Sequence, residues 1–134
     1  MIKILLCCGG GFSSSALANK AKKEILENNM QNDYDIEFSP FFTAINKISE
    51  FDILVCCPHL IYDVKKMLKN SSPNIPIYIL PPKMYGFMNI KELALDVIDI
   101  IALYNKNKVN PIHFPGEENT MSIIRYVAYR NSKF

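Results

Sequence analysis

Short apolar runs alternate with helical patterns four times between residues 2 and 104, and this alternation restricts the fold more than any other feature of the chain. Strands and helices that alternate in this way form a parallel sheet with helices on both of its faces. The sequence therefore predicts a three-layer α/β fold with four parallel strands. The predicted strands are residues 2–7, 34–38, 51–57 and 75–80, and the predicted helices are residues 14–29, 43–50, 58–69 and 90–104, with Thr43 and Asn89 as N-terminal caps.

Three connecting segments are expected to meet at one edge of this sheet. Right-handed crossovers bring the loops after the first, third and fourth strands to the same edge. Open parallel sheets bind their ligands at the carboxyl edge, near the point where the strand order reverses. We therefore expect the loop at Cys8, the turn Cys57-Pro58-His59 and a longer loop at residues 81–88 to surround a functional site.

The length of 134 residues fits one folded domain with an appended segment. Residues 1–104 form the predicted domain, and residues 105–134 form a C-terminal extension that contains a linker and a short helix. The helix would begin near Asn119 or Thr120 and present Met121, Ile124 and Val127 as an apolar stripe. This stripe is expected to pack on the domain or on a second copy, which would give a homodimer.

Charge and cysteine usage exclude several classes of protein. A net charge of +2 is too small to indicate nucleic-acid binding, although the extension is mildly basic, with three Lys and two Arg against two Glu. The four cysteines form two adjacent pairs, which is neither a secreted disulfide framework nor a zinc motif. No signal peptide or membrane-spanning run is visible. We expect a cytoplasmic protein without direct membrane insertion, metal or cofactor.

The segment after the first strand indicates anion binding. A glycine-rich turn between a strand and a helix lets backbone N–H groups converge beside the positive end of the helix. A thiolate, or a phosphate carried on its sulfur, would be favoured at that point. The alternative is that the cysteine is buried and the glycines only form the turn. The residues concerned are Cys8, Gly9, Gly10, Gly11, Phe12, Ser13, Ser14 and Ser15.

A phosphate at this loop is more consistent with a carrier than with a hydrolase. Low-molecular-weight tyrosine phosphatases use Cys-x5-Arg, in which the arginine stabilises the transition state. Here Ser14 lies six residues beyond Cys8, and neither Lys nor Arg occurs between Lys3 and Lys20. The loop also lacks an acid for the leaving group. It could hold a phosphoryl group until a partner supplies the remaining machinery.

Three segments resemble one protein family. Cys8-Gly-Gly-Gly-Phe-Ser-Ser-Ser resembles the Cys-x-x-Gly-Met-Ser-Thr-Ser loop of the enzyme IIB components of the lactose/cellobiose class of the sugar phosphotransferase system. Asp52-Ile-Leu-Val-Cys-Cys-Pro-His-Leu is similar to the family's Asp-Val-Val-Leu-Leu-Gly-Pro-Gln-Ile. Pro76-Ile-Tyr-Ile-Leu, followed by Met84-Tyr85-Gly86, is similar to its fourth strand and Tyr-Gly loop. The resemblance covers about residues 2–104.

This resemblance implies a strand order and a reaction. The strand order would be 2-1-3-4. A phosphoryl group would pass from a phosphohistidine on a IIA protein to the IIB cysteine, and then to a sugar held by the IIC membrane transporter. Cys8 would carry the phosphate, residues 9–15 would form its cradle, and Tyr85 and Gly86 would lie on the rim. The protein would be a phosphotransferase at the membrane periphery through its IIC partner.

Other residues near the site have less certain roles. His59 and Lys83 are further candidates for the rim, whereas Cys7 and Cys56 are predicted to pack in the core. Cys57 stands where the family has glycine; it either fills space before Pro58 or joins Cys8 in a disulfide or a metal site. Two alternative functions follow: a redox or metal sensor that uses Cys8, Cys57 and His59, or a regulator outside transport whose extension binds another protein.

Overall fold

Four parallel strands form one sheet in the order β2-β1-β3-β4. The structure is a computed structural model that describes residues 1–8 and 12–132, with the backbone alone for residues 8 and 12–15. The strands are β1 Ile2–Cys8, β2 Tyr34–Pro40, β3 Ile53–Cys56 and β4 Ile77–Ile79. The predicted parallel sheet and its order 2-1-3-4 are confirmed.

Helices cover both faces of this sheet. The α-helices are α1 Phe12–Glu27, α2 Phe41–Ala44, α3 Ile61–Leu68, α4 Pro82–Phe87 and α5 Ile90–Lys106, and 3-10 turns lie at Ile48–Glu50, Pro58–Leu60, Thr120–Ser122 and Tyr129–Asn131. Side chains of β1 alternate between the two faces, as the pleat requires. Ile4 and Leu6 join the core against α1 and α5, whereas Leu5 and Cys7 join the core against α2 and α3. The three-layer α/β architecture is confirmed.

Several predicted helical details are wrong. Residues 43–50 form the end of α2 and a 3-10 turn rather than one helix, and Pro40 rather than Thr43 occupies the N-cap of α2. Leu26, expected to face the core with Ile25, is 63% exposed, because α1 turns its buried face through Ala18, Ala21 and Ile25 instead. By contrast, the Asn89 side chain accepts hydrogen bonds from the backbone N–H groups of residues 91 and 92, as predicted for a cap.

The segment predicted as a loop at residues 81–88 contains the short helix α4. Pro82 begins it, where a missing N–H group leaves no intrahelical bond unmade. Met84 is buried, and Met88 ends the helix in the left-handed region at φ 42°. Burial of these two methionines stabilises a turn that its proline and glycine content disfavours.

The C-terminal extension packs along the outer edge of β4. The backbone N–H of Ile112 donates to the carbonyl of Ile77 at 2.9 Å, so that residue 112 continues the sheet beside Tyr78. The Asn110 side chain accepts from the N–H of Ile77 at 2.8 Å and donates to the carbonyl of Ile75 at 3.0 Å. These bonds cover an edge that would otherwise present unpaired backbone groups.

The helix predicted near residue 119 is wrong. A 3-10 turn of three residues, Thr120–Ser122, stands in its place. Met121 and Ile124, two members of the expected apolar stripe, are 63% and 66% exposed. The buried residues of this segment are instead Arg125 and Ala128. A buried arginine, held by acidic partners outside the segment, sets its conformation in place of an apolar helix face.

Candidate functional site

The end of β1 and the start of α1 position the predicted phosphate loop. Cys8 is the last residue of β1, and α1 begins at Phe12. The first turn of this 16-residue helix contains no acidic residue, so its positive end is not neutralised from within. Gly9, Gly10 and Gly11 lie outside the described residues, as do the side chains of Cys8, Phe12, Ser13, Ser14 and Ser15. The contacts of the predicted cradle therefore stay a prediction.

The turn after β3 lies at the same sheet edge. The backbone N–H of Cys57 donates to the carbonyl of Cys7 at 3.1 Å, which extends the pairing of β3 with β1 up to the residue before Cys8. Pro58 then begins a 3-10 turn in which His59 is exposed. The parallel register thus brings His59 to the edge at which Cys8 ends its strand.

Helix α4 supplies the other predicted rim residues. Tyr85 is half-buried, and its ring centroid lies 6.2 Å from that of His59 in an edge-to-face arrangement at 75°. Lys83 is exposed on the same helix. A Cβ atom at Gly86 would meet nothing within 4 Å, so the backbone there is not crowded and glycine simply keeps this part of α4 low. The structure thus joins His59 to Tyr85, as expected of two rim residues.

Three cysteines near the edge are buried. The Sγ atoms of Cys7 and Cys56 lie 3.3 Å apart, on directly paired residues of β1 and β3. Both side chains pack in the core against α2 and α3, as predicted. Cys57 is also completely buried in this core, consistent with a residue that fills space before Pro58.

The described residues offer no preformed metal site. Within residues 1–8 and 12–132, no three His, Cys, Asp or Glu side chains come together in a way that could hold a metal ion. The sulfur of Cys8 lies outside this comparison. In the same part of the chain, none of the helices combines the length and apolarity that crossing a bilayer requires. His113, predicted to be a surface residue, is exposed.

A groove beside His59 is formed jointly by the domain and the extension. It has a volume of about 440 Å³. One wall is the beginning of α3 and the turn before it, and the other is the segment around the 3-10 turn Thr120–Ser122. The residues lining it are Pro58, His59, Ile61, Tyr62, Lys65, Glu118, Asn119 and Met121. The extension therefore borders the candidate site rather than lying remote from it.

A second contact between the extension and the site escaped the sequence analysis. The ring of Tyr126 lies 5.6 Å from the ring of Phe87, the last residue of α4. The amino group of Lys20 in α1 donates to the carbonyl of Phe87 at 3.2 Å. Sequence spacing offers no signal for either contact, because the partners are separated by 39 and 67 positions of unrelated pattern.

Comparison with known proteins identifies a family. The family model described as "PTS system, Lactose/Cellobiose specific IIB subunit" matches residues 3–96. The matched region runs from β1 into α5 and includes Cys8, His59 and Tyr85; the extension lies beyond it. A comparison with individually curated proteins gives no significant match.

Proposed function

Since the chain belongs to the family of lactose/cellobiose-specific IIB subunits of the sugar phosphotransferase system, we propose that it carries a phosphoryl group on Cys8. The family gives the chain a role in the phosphoryl transfer of sugar uptake. The donor in the proposal is the phosphohistidine of a IIA protein, and the acceptor is a sugar bound by a IIC membrane transporter. The protein then acts in the cytoplasm, at the membrane periphery.

The proposed reaction has two displacements at phosphorus. In the first, the Cys8 thiolate attacks the phosphohistidine, an S–P bond forms, and the N–P bond breaks to release the imidazole of the donor. In the second, a sugar hydroxyl loses its proton and attacks the phosphocysteine; an O–P bond forms and the thiolate leaves. The thiolate is both the nucleophile and the leaving group, so its stabilisation beside a helix N-terminus serves both steps.

The arrangement of β1 and α1 is the observation that carries this proposal. The strand ends at Cys8 and the helix begins four residues later, with Phe12 and three serines in its first turn. Such a helix start favours an anion on its axis. No guanidinium is available in the loop to drive hydrolysis, because the chain has neither Lys nor Arg between Lys3 and Lys20. A held phosphate rather than a hydrolysed one is the expected outcome.

Phosphorylation by a IIA protein of the lactose/cellobiose class tests the proposal. The phosphorylated donor is mixed with the wild-type chain, with Cys8→Ser and with the control Cys57→Ala, and each product is measured by intact mass and peptide mapping at neutral pH. We expect one phosphate on Cys8 in the wild type and in Cys57→Ala, and none in Cys8→Ser. Full labelling of Cys8→Ser, or a phosphate at another residue, would overturn the proposal.

A further inference from the structure

The C-terminal extension reaches the rim of the candidate site through one aromatic contact. We propose that Tyr126 is a positioning residue for phosphoryl transfer, because it holds α4 and thereby the Tyr85–His59 pair beside Cys8. The inference rests on the proposed function, and it assigns a role to a segment that lies beyond the matched family region. Four structural steps support it.

The first step is the fixed position of residue 125. The guanidinium of Arg125 is 2% exposed and donates five hydrogen bonds, at 2.8 or 2.9 Å, which uses all of its N–H groups. Acceptors lie on β4, on α5 and within the extension, namely Tyr78, Asp96, Glu117 and the carbonyl of Val127. The backbone next to Tyr126 is thus anchored on both sides of the fold's last helix and strand.

The second step is the contact of Tyr126 with α4. The rings of Tyr126 and Phe87 are 5.6 Å apart and tilted by 51°, within the range in which aromatic pairs attract. Tyr126 is 55% exposed and Phe87 is 61% exposed. The pair therefore lies on the surface and contributes little to the core, so its loss should move α4 without unfolding the domain.

The third step is the weakness of α4 by itself. A helix of six residues forms few intrahelical hydrogen bonds and is not stable alone. Its C-terminal end is held by the carbonyl of Phe87, which accepts from Lys20, and by the ring of the same residue against Tyr126. The helix depends on outside contacts for its place, and the extension provides one of them.

The fourth step connects α4 to the site. Tyr85 lies two residues before Phe87 and makes the edge-to-face contact with His59. A shift of α4 would change the orientation of both rings at the sheet edge where β1 ends. Phosphoryl transfer is sensitive to such displacements, because the attacking and leaving atoms must stay in line.

Three variants test the inference. Tyr126→Ala removes the ring, Tyr126→Phe keeps it, and Ile124→Ala is the matched control, since Ile124 is an exposed residue of the same segment. We expect Tyr126→Ala to lower the maximal rate of Cys8 phosphorylation by about three- to tenfold. Tyr126→Phe should restore the wild-type rate, and Ile124→Ala should match the wild type. All four proteins should unfold at similar temperatures.

A spectroscopic measurement separates this inference from the proposed function. NMR resonances of the His59 and Tyr85 rings, recorded without any donor, should move in Tyr126→Ala and stay in place in Tyr126→Phe and Ile124→Ala. Unchanged ring resonances in Tyr126→Ala, or an unchanged transfer rate in a wild-type-competent assay, would overturn the positioning role. A wild-type chain that accepts no phosphate, with the ring resonances still moving, would speak against the proposed function alone.

Discussion

Arg125 and Asp96 form a buried ion pair in which Nη1 of the arginine lies 2.9 Å from Oδ2 of the aspartate, with side-chain exposures of 2% and 0%. The carboxylate also accepts from the Tyr78 hydroxyl and from the backbone N–H of Tyr129, both at 2.8 Å. Burial raises the pKa of Asp96, while these donors and the guanidinium act in the opposite direction. The pair fastens the C-terminal extension to α5, so the extension is part of the folded domain.

Loss of the Arg125 side chain should destabilise the protein strongly. In Arg125→Ala the carboxylate of Asp96 would stay buried without its counter-charge, and breaking a buried pair in this way costs about 3–5 kcal/mol. Chemical denaturation at neutral pH, followed by circular dichroism, measures the change in the free energy of unfolding.

The matched control is Arg130→Ala, which removes a second arginine–aspartate pair from the same extension. Nη2 of Arg130 lies 2.6 Å from Oδ1 of Asp99, but the arginine side chain is 47% exposed. Solvent screens such a pair, so its loss should be small and should shrink further in high salt. Equal losses in the two variants would contradict the assignment of Arg125 as the anchor.

The Tyr78 hydroxyl should make the fold sensitive to alkaline pH. Burial, and secondarily the charge of Asp96, raise the pKa of Tyr78 well above its usual value. The folded chain therefore keeps this proton at a pH where the unfolded chain has lost it. Below about pH 10 the group's contribution to stability is fully present; above it, the free energy of unfolding should fall by about 1.4 kcal/mol per pH unit from this group.

Comparison with Tyr78→Phe isolates that slope. The variant loses a hydrogen bond to Asp96 and is less stable at every pH, but it has no phenolic proton to lose. Urea denaturation between pH 8 and pH 11 should give a shallower decline for Tyr78→Phe than for the wild type. Parallel declines would show that another group controls the alkaline behaviour.

Local patterns were sufficient to predict the sheet and much of the site. The apolar runs ending at Cys8 and Cys57, with the helical patterns after them, determine which loops meet at the carboxyl edge. The contact of His59 with Tyr85 follows from that topology, because each residue lies shortly after a strand on the same side of β1. Asn89 was predictable as a cap because its side chain bonds to its own neighbours.

The extension could not be predicted by the same means. Arginine is normally exposed, so nothing local indicates that Arg125 is buried. Its partners Tyr78 and Asp96 lie 47 and 29 positions away, and only the folded chain brings them together. The apolar residues Met121 and Ile124 therefore suggested a helix face, whereas the buried guanidinium sets the path of the segment. The same distance in sequence concealed the contact of Tyr126 with Phe87.

Asn110 should matter more for stability than a surface asparagine. Its side chain takes the place of a neighbouring strand, accepting from Ile77 and donating to Ile75. Asn110→Ala leaves the N–H of Ile77 without this acceptor, which should cost about 1–3 kcal/mol. Thermal unfolding should show the loss, whereas the control Asn105→Ala, at an exposed position, should leave the melting temperature nearly unchanged. Similar melting temperatures for both variants would contradict the edge-pairing role.

Alkylation of the native chain should modify Cys8 alone. Cys7, Cys56 and Cys57 are completely buried, and buried thiols react slowly. Cys8 ends β1 directly before the N-terminus of α1, where a thiolate is favoured. Brief treatment with iodoacetamide at pH 7, followed by peptide mapping, should therefore find one modified cysteine, and unfolding in urea beforehand should expose all four. Alkylation of Cys57 at a rate equal to that of Cys8 would contradict the burial of Cys57, and native protein with an unreactive Cys8 would contradict the proposed thiolate.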